Sequence, residues 1–195
     1  ITIHVDDKGA TYPLNVDPLI AVLQQKIPTP GNVPGGQFGY GLAFSGETVL
    51  IGSPKSGELA TEAGSAYVYV RNNNVWTQQA KLLPPVGDAE AQEWFGFSVA
   101  LSGDTALVSA PQDMEYGLPA VPPQPRRPSG AVYVFVRNGT VWNLVPEAKL
   151  VSSDIAPGDL FGVSAALSGD TALIGAHGDD DHGESIGGEV FHDGQ

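Results

Sequence analysis

Residues 95–111 read FGFSVALSGDTALVSAP, two short apolar runs around a Ser-Gly-Asp-Thr turn, which is the pattern of a β-hairpin. The same text recurs on either side of it. Residues 38–54 read FGYGLAFSGETVLIGSP and residues 161–177 read FGVSAALSGDTALIGAH. Phe38 and Phe95 lie 57 residues apart and Phe95 and Phe161 lie 66 apart, a period that marks a repeat architecture. After a variable loop, GSAYVYVRNNNVWTQQAKLL from Gly64 and GAVYVFVRNGTVWNLVPEAKL from Gly130 each read as strand, turn, strand. A full repeat therefore carries four strands.

Read as a strand, the opening of each repeat alternates bulky and small residues. Phe38, Tyr40, Leu42 and Phe44 share one parity, as do Phe95, Phe97, Val99 and Leu101, and Phe161, Val163 and Leu167. Gly39, Gly41 and Ala43, Gly96, Ser98 and Ala100, and Gly162, Ser164 and Ala166 hold the other. Side chains on a strand point alternately to opposite faces, so each sheet has a large face and a small one. A large face meeting the next sheet's small face lets copies pack closely, which favours sheets arranged radially over the short coils of a solenoid. Gly46, Gly103 and Gly169 stand where a tight hairpin needs positive φ, and these turns are read as structure. Trp76 and Trp142 recur at the start of the fourth strand and are read as packing residues.

Composition limits the function. The 195 residues carry 22 acidic and 9 basic side chains, a formal charge of −13, which repels phosphate backbones and anionic lipid. Nucleic acid is therefore not an expected partner. The chain has no cysteine, so it has neither a disulfide framework nor a thiolate metal site. No apolar run approaches the roughly 20 residues that span a bilayer.

The Phe-Gly openings and the closing Gly52-Ser53-Pro54, Ser109-Ala110-Pro111 and Gly175-Ala176-His177 resemble FG-GAP repeats, the blades of integrin α-subunit β-propellers and of arrays in large bacterial extracellular proteins. The resemblance covers about residues 20–192. It implies an all-β chain of β-propeller blades acting outside the cell or at its surface in adhesion or interaction. It also implies a calcium loop between the first and second strands of some blades. Here that place is a four-residue turn with one carboxylate, too few oxygens for calcium, so calcium is not carried over to the turns.

Residues 38–83 and 95–150 make two complete blades, and a third, 161–192, stops after three strands. Upstream, IAVLQQKIPTPG aligns with the fourth strands through Lys26, Lys81 and Lys149, which makes residues 20–27 a spare fourth strand. The expected organisation is a partial propeller over 19–195 with a separate N-terminal β-hairpin over 1–18, where Ile1, Ile3 and Val5 precede Tyr12, Leu14 and Val16. Three blades are fewer than the about four to eight of closed propellers. Either the chain is a piece of a longer array, or strand addition from another subunit or chain completes the third blade.

Four features offer chemistry. The loop after the third hairpin gathers His177, Asp179, Asp180, Asp181, His182 and Glu184, of which Asp179, Asp180, Asp181, His182 and Glu184 form a candidate site for a divalent cation such as calcium, against a plain solvated loop. The Pro-rich loop of the second repeat carries Arg126 and Arg127, an isolated basic pair suited to a carboxylate-bearing protein partner, against a variable insertion. Trp94 stands where the other repeats have Gln37 and Leu160, so an exposed indole there would contact a partner or stack on a sugar, against ordinary packing. Asn138-Gly139-Thr140 is a glycosylation sequon, meaningful where the source glycosylates. His4, His177, His182 and His192 are the only histidines, and no nucleophile motif accompanies them. The expected function is therefore non-enzymatic interaction, adhesion or assembly. The alternative is a carbohydrate-binding module or a fragment of a larger glycan-active surface enzyme.

Overall fold

The computed structural model describes residues 25–32, 34–86, 89, 91–114, 128–154, 156–178 and 187–192. The expected hairpin over 1–18 and the first part of the spare strand lie outside the described residues. After a short 3-10 turn at Pro30–Asn32, the regular structure of the described residues is all β. Strands β1 (Leu42–Ser45), β2 (Thr48–Ser53), β3 (Ser65–Asn72) and β4 (Val75–Leu82) form one antiparallel sheet in chain order. The second sheet holds β5 (Val99–Ser102), β6 (Thr105–Ala110), β7 (Ala131–Asn138), β8 (Val141–Trp142) and β9 (Ala148–Leu150), and the third holds β10 (Ser164–Ser168), β11 (Thr171–Ala176) and β12 (Gly187–His192). These are three blades of the expected kind.

The first strands begin later than the alternation predicts. Tyr40, Phe97 and Val163 donate their N–H groups to the carbonyls of Gln37, Trp94 and Leu160, so Phe-Gly forms the centre of a four-residue turn. Gly39, Gly96 and Gly162 sit at its third position with φ of 92, 92 and 93°, the type II arrangement that needs glycine. Phe95 is thereby turned down between Tyr133 and Phe135, with ring centroids at 5.5 and 6.0 Å. The fourth strand of the second blade is also not continuous. Val141–Trp142 and Ala148–Leu150 both pair with β7, and residues 143–147 loop out between them. Trp142 to Lys149 is two residues longer than Trp76 to Lys81, and Pro146 has no N–H to give to the ladder.

The two-faced sheet is the basis of the packing. Ala43, Leu50, Ala66, Val68, Ala80 and Leu82 on one face of the first blade meet Phe95, Val99, Leu101, Val108, Tyr133 and Phe135 on the second. The opposite face of the second blade, through Ala100, Leu107 and Val132, meets Phe161, Ile174 and Ala176 of the third. The small face of each first strand thus lies against the large face of the next blade, as the alternation implies. Polar ties repeat with the same offset. Ser45 Oγ accepts the Gly103 N–H and Ser102 Oγ accepts the Gly169 N–H, both at 3.0 Å. The serine that closes each hairpin therefore holds the turn of the following blade.

Candidate functional site

The end faces of the stack are the first candidate. Leu42 and Phe44 are 66% and 62% exposed, whereas their counterparts in the second blade, Val99 and Leu101, are each 7% exposed against the first blade. At the other end Leu173 is 53% exposed, whereas its counterparts Leu50 and Leu107 are buried. Tyr40, in the turn before β1, packs instead on Phe97 of the second blade, at 4.8 Å between ring centroids. Among the described residues, then, one half of the inter-blade interface is open on the first blade and the other half on the third.

Beside the first face, Ile27 packs on Phe38, Ile51, Tyr67 and Tyr69. By the Lys26–Lys81 alignment this is the role that Leu82 has against the second blade. The Gln25 side chain accepts the Trp76 N–H at 2.8 Å and donates to the Trp76 carbonyl at 3.2 Å. Residues 25–27 thus meet the first blade as the end of a preceding blade's fourth strand would, although they are not in a strand here.

The hairpin turns use their carboxylates within the protein. Glu47 accepts two hydrogen bonds from Arg71, and Asp104 accepts from Arg137 at 2.7 Å. The guanidinium carbons lie 5.7 and 5.4 Å from the rings of Trp76 and Trp142. These stacks explain the recurring tryptophans. The hydrogen bond from Arg71 holds the Glu47 carboxyl below its ordinary pKa, and the same bond raises that of Arg71. A carboxyl shifted down by folding stabilises the fold above its unfolded pKa, and that gain is lost as pH falls through the lowered folded value. Because the pair is at the surface, Glu47→Gln is expected to lower Tm by only about a degree or two at pH 7, with a smaller difference at high salt and none in strong acid. Thermal melts at two pH values and two salt concentrations check this.

A second recurring group lies near the outer side of each complete blade. Asp113, 1% exposed, accepts the Tyr133 hydroxyl at 2.7 Å and pairs with Lys149 at 3.1 Å, while Lys149 Nζ lies 5.5 Å from the Tyr133 ring centroid. In the first blade Lys81 lies 5.2 Å from the Tyr67 ring centroid, but Ser56 stands in the place of Asp113 and bonds Ser65 Oγ at 2.6 Å. Lys81 takes its acid partner from Glu58 instead. Burial lowers the pKa of Lys81. A cavity of about 480 Å³ remains here, lined by Ser56, Glu58, Tyr67, Gln78, Lys81 and the Pro30–Gly31 turn. The recurrence of Lys26, Lys81 and Lys149 points to these lysines in the sequence, but their acid partners lie in loops that do not repeat.

Of the sequence-derived candidates, Trp94 is half-buried between blades. Its indole N–H donates to Glu62 at 3.2 Å, its ring stacks with Phe97 at 6.0 Å, and Lys55 Nζ lies 5.3 Å from its centroid. Asn138 ends β7 in an exposed position. Asp179, Asp180, Asp181, His182, Glu184, Arg126 and Arg127 lie outside the described residues. Among the described residues no group of three or more His, Asp or Glu side chains is placed to hold a metal ion. No described helix is long and apolar enough to cross a membrane.

The FG-GAP repeat model matches residues 22–69, 76–135 and 144–191. The second and third matched units start at or near the fourth strand of the first and second blades and run through the next blade's first three, so these units are offset from the blade by one strand. The first begins within the segment that ends at Ile27. A search of curated proteins finds no match to the chain. With three matched units over most of its length and the Phe-Gly turn built alike in all three blades, the chain belongs to the FG-GAP repeat family.

Proposed function

We propose that the protein is a non-enzymatic extracellular interaction and assembly module whose two end faces join copies of the chain head to tail. The large face of the first blade, with Leu42 and Phe44, receives the small face of another copy's third blade, with Ala166 and Leu173. The segment ending at Gln25–Ile27 supplies the fourth strand of that third blade by strand addition. What supports this reading is that, among the described residues, positions buried between neighbouring blades are exposed on the outward faces of the first and third blades. Burying large apolar side chains stabilises by about 1.5–3 kcal/mol each, so a matched pair of such faces favours association. Among the described residues β12 pairs only with β11, leaving its other edge open to a fourth strand.

In this arrangement Ser168 meets the turn of the first blade in the next copy, as Ser45 meets Gly103 and Ser102 meets Gly169 within the chain. The chain has no cysteine, so single thiols report this directly. Ser168→Cys and Glu47→Cys proteins, mixed and treated with a short bismaleimide, are expected to give a mixed cross-linked dimer in high yield. Either variant alone is expected to give little. A yield no greater than that of a pairing with Val86→Cys, on an exposed loop away from both faces, would sink the head-to-tail arrangement.

A further inference from the structure

The first and second blades build the same backbone frame around different side chains. Ser56 N and Asp113 N donate to the carbonyls of Ser53 and Ala110 at 3.1 and 3.0 Å, and their own carbonyls accept Gly64 N and Gly130 N at 2.9 and 3.0 Å. Tyr67 pairs with Lys81 across the ladder as Tyr133 does with Lys149. Ser56 and Asp113 are therefore equivalent positions between equivalent partners. In the second blade the Asp113 carboxylate fills the space between the Tyr133 hydroxyl and Lys149. In the first blade that place is part of the cavity, and the Tyr67 hydroxyl has no hydrogen-bond partner among the described residues.

We propose that this cavity binds a carboxylate presented by an acidic peptide segment, which takes the place relative to Tyr67 and Lys81 that Asp113 takes in the second blade and displaces Glu58. Glu58 is the exposed member of its ion pair, at 51% side-chain exposure, so moving it to water costs little. A half-buried ammonium whose pKa is lowered by partial desolvation gains from a carboxylate that adds a hydrogen bond at the same point. The volume of about 480 Å³ is within the range of small-ligand sites and admits one side chain with its flanking backbone. The aspartate of the second blade is itself a peptide side chain, which favours a peptide over an acidic sugar.

The test is an amide NMR titration of the whole chain with a capped Gly-Asp-Gly peptide, a capped Gly-Asn-Gly peptide and glucuronate. The aspartyl peptide is expected to shift the amides of Ser56, Gly57, Glu58 and Gly64 saturably and to bind at least about tenfold more tightly than the asparaginyl one, as loss of a charge-assisted bond implies. Glu58→Gln, which removes the internal competitor, is expected to tighten binding several-fold. Lys81→Gln is expected to abolish it. Ser56→Asp is expected to abolish it while leaving the amides of the second and third blades in place, because the new carboxylate fills the site as Asp113 does; the lost bond to Ser65 Oγ is expected to lower Tm by a few degrees at most. Equal binding of the two peptides, undiminished binding to Ser56→Asp, or no saturable shift would overturn the site. Tighter binding of glucuronate at the same amides would overturn the peptide class.

Discussion

Gly130→Ala is expected to cost about 4 kcal/mol or more, and to leave little folded protein at 37 °C. A Cβ at this position would lie 2.2 Å from the carbonyl oxygen and 2.5 Å from the nitrogen of Phe161, which are backbone atoms and cannot swing aside. The backbone there also has φ of 86°, which an L side chain adopts only with strain. The clash is with the turn that starts the third blade, held alongside by the Phe161 N–H donating to the Ser129 carbonyl at 2.8 Å. Gly64 repeats the arrangement against Phe95, so Gly64→Ala is expected to behave alike. Gly139 separates the two causes. Its φ is 63° but its Cβ would meet nothing within 4 Å, so Gly139→Ala carries the conformational penalty alone, about 1–2 kcal/mol. Urea denaturation of the three variants measures the difference, and equal losses at Gly130 and Gly139 would show that blades are not held by this close approach.

Asp113→Ala is the second large effect, with an expected loss of about 3 kcal/mol, or roughly 6–12 °C in Tm. The substitution removes the carboxylate that accepts the Tyr133 hydroxyl at 2.7 Å and pairs with Lys149 at 3.1 Å, beside a buried ring. Breaking a buried pair by removing one member costs more than removing both, because the remaining charge is uncompensated. Asp113→Ala combined with Lys149→Met is therefore expected to be more stable than Asp113→Ala alone. If the double variant is less stable by the full sum of the single losses, the pair is not coupled and Asp113 acts only through its loop backbone. The same substitution at Ser56 is expected to cost less, about 1 kcal/mol for the lost bond to Ser65 Oγ, since that blade holds Lys81 through Glu58.

Local chemistry made much of this fold readable. The Ser-Gly-Asp-Thr turns need a glycine at one position, and Gly46, Gly103 and Gly169 have φ of 58, 56 and 59° there. The alternation Leu42, Ala43, Phe44 assigns two faces because strand geometry allows no other reading. Extending it back to Phe38 fails for a definite reason. Phe38 is the second residue of a type II turn and Tyr40 its last, so the two share the parity of a strand by position alone without belonging to one. The interruption of the fourth strand at Pro146 depends on a two-residue insertion that is visible only when Trp142–Lys149 is laid beside Trp76–Lys81. The Asp113 partnership joins a variable loop to a distant fourth strand, 36 residues on, and no local pattern encodes such a pairing. The serine contacts between turns are legible only once neighbouring blades are known to touch.

Proline and charge explain the rest of the sequence's silence. Arg126 and Arg127 lie in a Pro-rich loop and Asp179–Glu184 in a Gly-rich acidic one, and neither segment has the periodicity that makes structure readable from text. Trp94 looked unusual because it has no counterpart in the other repeats. Its contacts with Glu62, Phe97 and Lys55 tie the first blade's loop to the second blade's turn.

The most direct measurement of the central claim is the mass of the native particle, by light scattering over a range of concentrations. Head-to-tail joining of end faces predicts a mass that rises with concentration in multiples of the 20.3 kDa chain, and that returns to one chain in Leu42→Asp, whose exposed side chain lies at the centre of the first end face. A mass of 20.3 kDa at every concentration, unchanged by Leu42→Asp, would contradict it.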